Sequence, residues 1–382
     1  MPEIFDVIII GAGIAGASVA ANLAATHKVI ILEREEFAGF HATGRSAALF
    51  SEIYGNSTVR ALTRASRNFF YEPPQGFSEH PLVCPRGSLF IARQDQLAQL
   101  ACFADQNDVN GWVRAIDASE ALQLCPILRA DYVAAALLET GAADMDVAAI
   151  HQGYLRQMRS AGGTLLTNAE VLELTRSDGQ WCARTREASF RAPVLVNAAG
   201  AWADLIAAKA GIRPLGIQPC RRTALLVDTP SGIMASGFPM VIDIEETFYF
   251  KPDAGLLLLS PADESPMEPC DVQPEELDVA IAVDRVQHAT TLTIPRIRKR
   301  WAGLRSFAPD RTPVVGFDPL REGFFWLAGQ GGYGIQTAPA AGALAAALIR
   351  DDLPDELITL PIEALSPGRK ELGGDGSNRR NT

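Results

Sequence analysis

The 382-residue sequence predicts an α/β fold in which an antiparallel sheet is inserted into a doubly wound unit of parallel strands. Three observations carry this. A β-branched run at residues 6–10 ends in GAGIAG, two later apolar runs (194–196 and 324–328) also end in small residues, and residues 215–260 between them alternate in polarity. Continuous apolar runs suit parallel strands buried on both faces, whereas alternation suits a sheet with two unlike faces. With 48% hydrophobic and 21% charged residues the chain can bury a sizeable core, which excludes global disorder.

In chain order, Asp6 to Ile10 is the first strand, Ala17 to Ala25 a helix and Lys28 to Leu32 a second strand. This β-α-β unit takes about 30 residues, the length of a dinucleotide-binding crossover. The small, polar segment HATGRSAA at 41–48 suits close approach to a ligand or to another backbone. Proline clusters bracket a short strand at Ser88 to Ala92, and Gln94 to Leu128 reads as a polar, helical surface excursion. A helix from Val147 to Ala161, a strand from Thr164 to Thr167 and the strand Val194 to Val196 form a second α/β stretch. Strands at 221–227, 247–250 and 256–259 form the antiparallel part, and Phe324 to Ala328 leads through a glycine cluster into a helix over 338–349. The antiparallel part reads as a separate subdomain, and a flexible tail is expected over 366–382.

A net charge of -11 disfavours nucleic acid as a partner. Six scattered cysteines form no CxxC pair or zinc spacing, so no metal site is expected, and reduced thiols suit a cytoplasmic protein. No apolar stretch reaches the roughly 18 residues of a membrane span, so contact with a membrane would be peripheral.

The glycine loop has assignable parts. Gly11 permits the tight turn, Gly13 lets amides at Ile14 and Ala15 approach a diphosphate, and Gly16 allows close packing of helix on strand. Glu33 ends the second strand, where it accepts from ribose hydroxyls and repels a phosphate. FAD or NAD is therefore favoured over NADP. The small residues at 197–200 and the late Gly329 to Gly334 cluster favour noncovalent FAD.

Together GAGIAGAS (11–18), LEREE (32–36), HATGRSAA (41–48), VNAAGAW (196–202), WAGLRSF (301–307) and GQGGYGIQTAP (329–339) cover nearly the whole chain. The pattern resembles the D-amino-acid oxidase superfamily, and within it the bacterial FAD-dependent D-arginine dehydrogenases. The resemblance implies a discontinuous Rossmann-like FAD-binding domain (1–50, 145–214, 306–365) and a substrate-binding domain (51–144, 215–305), with Arg34, Thr43, Gly44, Arg45, Ser46, Ala47, Val171, Ala199 and Gly200 also facing the cofactor. Gly331, Gly332, Tyr333, Gly334, Ile335 and Gln336 complete that set. It further implies that Arg222 and Arg305 clamp a substrate carboxylate, with Tyr54 and Tyr249 lining the substrate as the catalytic, proton-handling candidates and the Gly303 carbonyl facing its amine. Strand alternation independently places Gly303 and Arg305 on one face. The competing readings are structural ion pairs for the arginines and ordinary packing for the tyrosines.

The sequence departs from the arginine-oxidising pattern at Ser88, aligned with a substrate-pairing glutamate, and at Leu49, aligned with a histidine. The implied activity is oxidative deamination of D-amino acids with neutral or apolar side chains, giving 2-oxo acids and ammonia. Oxygen, a quinone or another carrier would take the electrons. The alternatives are oxidation of N-substituted amino acids of the glycine, sarcosine or opine type, and a noncatalytic flavin-binding subunit.

Overall fold

A computed structural model of the chain describes residues 2–106, 108–229 and 235–372. Its centre is a six-stranded sheet in the order Thr164–Leu166, Val29–Leu32, Val7–Ile10, Val194–Asn197, Phe324–Ala328, Val314–Phe317. Five strands are parallel and the last is antiparallel. Val7 and Ile9 point into one core with the helices Ile14–Leu23, Val147–Ser160 and Gly334–Arg350, whereas Ile8 and Ile10 point into a second core with Trp181, Phe190 and Trp326. Both faces are covered, which is why these strands carry no polar alternation.

The second sheet is long and twisted, with strands Gln330–Gly331, Ile297–Phe307, Gln218–Asp228, Leu256–Ser260, Tyr249–Asp253, Met240–Asp243, Ser88–Ala92, Ala135–Glu139 and Arg114–Asp117 in that order. Its pairs are antiparallel except Met240–Asp243 against Ser88–Ala92. The helix Glu276–Ala289 packs beneath it. Gln330–Gly331 joins the two architectures: it follows the parallel strand Phe324–Ala328 directly and pairs with Ser306–Phe307.

Three expectations are corrected. Leu62, Phe70, Phe77 and Leu82 pack into the core of the parallel unit, so the core does not divide at residue 51. The stretch 94–128 contains an edge strand, Arg114–Asp117, as well as helices. The tail is packed through Leu372: Arg369 is buried and donates to both oxygens of Asp310, at 2.8 and 2.9 Å. The remainder of that tail, 373–382, lies outside the described residues.

Candidate active site

One continuous cavity of about 390 Å³ runs from Glu33, Arg34 and Val171 at one end to Arg222, Tyr249 and Arg305 at the other. The loop after Ile10 forms its first wall. Gly11 has φ +100° and an added Cβ would lie 2.5 Å from the Ala198 carbonyl, so no other residue fits without moving the backbone. Glu33 fastens this loop, since its Oε2 accepts from the Ala12 amide at 2.7 Å and its Oε1 from the Glu35 amide at 3.0 Å. On the other side of Ala12, the buried ring of His151 donates from Nε2 to the Ala12 carbonyl at 2.9 Å. Burial holds the His151 pKa below its ordinary value, partly opposed by that bond. Thr43 Oγ1 accepts from the Ile14 amide at 3.0 Å, bringing the 41–48 segment against the helix N-terminus.

A ring of aromatic and cationic side chains lines the cavity beyond this loop. The His41 and Trp202 rings are 4.5 Å apart, Arg34 lies over Trp202, and His41 Nε2 is 2.8 Å from Glu35 Oε1. The turn leading to Trp202 is held by Asn197, which donates to the Ala203 carbonyl at 2.8 Å.

At the inner end, Arg222 lies opposite Gly303 and Cys220 opposite Arg305 on paired antiparallel strands. Directly paired residues share a face, so both arginines and Gly303 project from one side of the sheet into the cavity. The two arginines differ in their partners. Arg222 Nε donates to the Asp263 carbonyl at 2.8 Å and its Nη2 to Glu264 Oε1 at 2.9 Å. Arg305 Nη1 donates to the Tyr54 hydroxyl at 3.0 Å, and no carboxylate lies within ion-pair distance of it among the described residues. Burial opposes the charge on Arg305, but Tyr54, Tyr249 and Glu246 outweigh it and the guanidinium stays protonated. Burial likewise pushes the Tyr54 hydroxyl above the ordinary phenol range, against the pull of Arg305, so Tyr54 is a neutral partner and not a base. Gly332 closes the floor: an added Cβ would sit 2.9 Å from Arg305 Cζ.

Gly11, Gly13, Ile14, Ala15, Glu33, Arg34, Thr43, Arg45, Ser46, Ala47, Val171, Ala199, Gly200, Gly331, Gly332, Gly334 and Ile335 line the cavity with the clamp residues and Tyr249. Other expected residues do not. Gly16 packs on the Gly11 carbonyl, and Gly44 closes a turn by donating to the Gly39 carbonyl at 2.7 Å. Gln336 is buried, holding the Ser51 amide and the Thr63 hydroxyl. Ser88 is fully buried and donates to Glu139 Oε2 at 2.8 Å, so it faces a neighbouring strand and not a substrate. Leu49 packs with Met240, Tyr249 and Leu258 behind the wall. Tyr54 and Tyr333 line an adjoining cavity with Glu246 and Arg311, separated from the first by Arg305 and Tyr54. Arg222 is already ion-paired, which the clamp expectation did not include.

Two residues were missed. Gln330 lines the cavity with a buried Nε2 that has no hydrogen-bond partner among the described residues, a donor awaiting an acceptor. Its only sequence signal is its place in the glycine cluster. Glu264 bonds Arg222 and Arg311, a contact no local pattern encodes.

The donors present fit FAD. Amides at the N-terminus of the helix Ile14–Leu23 suit a diphosphate, Glu33 suits ribose hydroxyls, and the orphaned Gln330 amide with the helix start at Gly334 suits an electron-rich ring edge. The family described as DAO, FAD dependent oxidoreductase, matches residues 6–348. The chain belongs to this DAO family. Among its relatives, glycine oxidase of Geobacillus kaustophilus is 25% identical over 367 residues, covering 91% of this chain and 94% of that protein. The DAO-family fold is also seen in two solved structures. L-proline dehydrogenase from P. horikoshii has a TM-score of 0.83 and 24% identity, covering 98% of this chain and 99% of that one. Iminodiacetate oxidase from Chelativorans sp. BNC1 has a TM-score of 0.78 and 24% identity, covering 94% and 98%. This DAO-family chain is thus an FAD-dependent oxidoreductase.

Proposed function

We propose that the chain oxidises the C–N bond beside the carboxylate of a small amino acid. Arg305 carries this reading: a cation at the inner end of the FAD cavity with no carboxylate in ion-pair distance among the described residues is a seat for a substrate carboxylate. When bound, FAD supplies the two-electron acceptor for hydride removal from Cα. The protein's part is orientation. Tyr54 fixes the guanidinium, Tyr249 walls the substrate, Arg222 offers the nitrogen that Glu264 leaves free, and Gly303 stands by the amine. Water then hydrolyses the imino acid to a 2-oxo acid and ammonia.

The finer reading is a D-amino acid with a neutral or apolar side chain. The cavity lining holds two carboxylates, Glu33 and Glu170, and Ala224, Leu304 and Tyr249 surround the clamp. Glu33 is the nucleotide-end carboxylate, and Glu170 adjoins Val171 there. A guanidinium lodged in this cavity would therefore lose water without gaining an ionic partner, whereas Glu246, beside Tyr54 in the adjoining cavity, is the carboxylate that D-arginine would have to reach. Glu52 is turned to Arg67, and Glu245 is held by Gln96 and Gln99. Glycine or an N-substituted amino acid is the second reading, supported by relatives named for glycine, proline and iminodiacetate. The test is turnover by the purified flavin-loaded protein on D-Leu, D-Met, D-Phe, D-Arg, glycine and sarcosine, with oxygen or a dye as acceptor. A higher kcat/KM on D-Arg than on the apolar D-amino acids refutes the side-chain reading. Turnover of glycine or sarcosine alone selects the second reading, and no turnover of any refutes both.

A further inference from the structure

Three arginines surround the partition between the two cavities, and they are not equivalent. Arg222 faces the main cavity, Arg311 faces the adjoining one, and Arg305 stands between them against Tyr54. Glu264 links the first and last: its Oε1 accepts from Arg222 Nη2 at 2.9 Å, and Arg311 Nη2 donates to both of its oxygens at 3.0 and 2.9 Å. Arg222 is 8% exposed, so the Glu264 carboxylate serves a desolvated cation. On the paired strands Arg222 and Arg305 are diagonal neighbours, at about 7–8 Å for such positions. The site therefore contains two anion seats side by side, one of them filled from within by the chain.

We propose that Glu264 is a specificity-determining residue that restricts the site to monocarboxylates, by occupying the seat a second substrate carboxylate would take. A monocarboxylic amino acid binds Arg305 and leaves Glu264 in place. A dicarboxylic one, such as iminodiacetate or D-glutamate, brings its second charge towards Arg222 and Arg311 and meets the partly exposed Glu264 carboxylate there, a like-charge contact beside the buried Arg222. Removing that charge leaves Arg222 and Arg311 without the carboxylate they share and able to receive the substrate's. This inference rests on the reading of Arg305 as the primary carboxylate seat.

The experiment compares wild type, Glu264→Gln, Glu264→Ala and Glu264→Ala/Arg311→Met, each flavin-loaded. The first readout is the ratio of kcat/KM on iminodiacetate and D-glutamate to that on sarcosine and D-leucine. The second is the dissociation constant of glutarate against butyrate, read from the flavin absorbance change. The expected result is at least a tenfold rise in the dicarboxylate ratio and in relative glutarate affinity for both single variants, with the double variant falling back towards wild type. The double variant separates a freed anion seat from mere loosening. Unchanged ratios and affinities in folded, yellow Glu264→Gln and Glu264→Ala overturn the proposal, as does a wild type that already prefers the dicarboxylates. If wild type turns over none of the four amino acids, the functional reading has failed, and the glutarate and butyrate titrations still decide the role of Glu264.

Discussion

Replacing Gly332 by alanine tests whether the position of the Arg305 guanidinium, and not merely its charge, sets activity. Gly332 has no positive φ, so alanine costs its backbone nothing there. The added Cβ would lie 2.9 Å from Arg305 Cζ and Nη1 and 3.1 Å from Nε. Ordinary contacts between such atoms are about 3.5–4.0 Å, so the guanidinium must retreat by roughly 0.6–1 Å. Retreat stretches its bond to the Tyr54 hydroxyl, 3.0 Å long, and draws the carboxylate seat away from the cofactor. A misplacement of about 1 Å in a positioned group costs on the order of 10²-fold in rate. The expected outcome for Gly332→Ala is a roughly 10- to 100-fold loss of kcat/KM on the best amino-acid substrate, with flavin content and melting temperature close to wild type. Steady-state kinetics on the flavin-loaded variant, with absorbance for flavin occupancy, measures it. Wild-type kcat/KM would refute the argument that the guanidinium is held at a required position.

Other substitutions probe the remaining parts. Gly13→Val places a side chain in the cavity beside Thr43 Oγ1, 3.2 Å from its Cβ, and should yield protein purified with little flavin and not reconstituted by added FAD. His151, buried with a depressed pKa, contributes stability that is fully present above its unfolded value near pH 6.5 and lost as pH falls through its lower folded value. Melting temperature measured from pH 8 to pH 5 should therefore drop more steeply in wild type than in His151→Gln, which can still donate to the Ala12 carbonyl. Ser88→Glu should not confer D-arginine activity. It would set a second carboxylate against the buried Glu139, costing roughly 3–5 kcal/mol in stability by denaturant unfolding.

The parallel unit was legible because its three central strands, Val7–Ile10, Val194–Asn197 and Phe324–Ala328, are buried on both faces and run into small residues, so composition and position agree. Strand alternation placed Gly303 and Arg305 on one face, and the family resemblance assigned that face to the substrate. Their pairing with Arg222 depends on a register between strands about 80 residues apart, which the family resemblance suggested and local pattern does not encode. Ser88 was misplaced because motif alignment assigns a position in the chain but not the face of a strand. Its cross-strand partner is Glu139, and a one-residue change of face separates a pocket residue from a core one. The ion pair that was the competing reading for Arg222 had no nameable partner in the sequence, because Glu264 lies on a loop 42 residues away. Arg114–Asp117 was lost in a polar stretch because an edge strand buries little: only Ile116 of its four residues is buried.

The central claim is that Arg305 seats the carboxylate of the amine being oxidised. Its most direct test is anaerobic mixing of the flavin-loaded protein with an amino acid, or with the amine that lacks its carboxylate, while flavin absorbance is followed in wild type and Arg305→Met. Wild type should be bleached rapidly by the amino acid and little by the amine, and Arg305→Met should lose about 2–5 kcal/mol of transition-state stabilisation on the amino acid alone. Equal bleaching by amine and amino acid, or an unchanged rate in Arg305→Met, would contradict it.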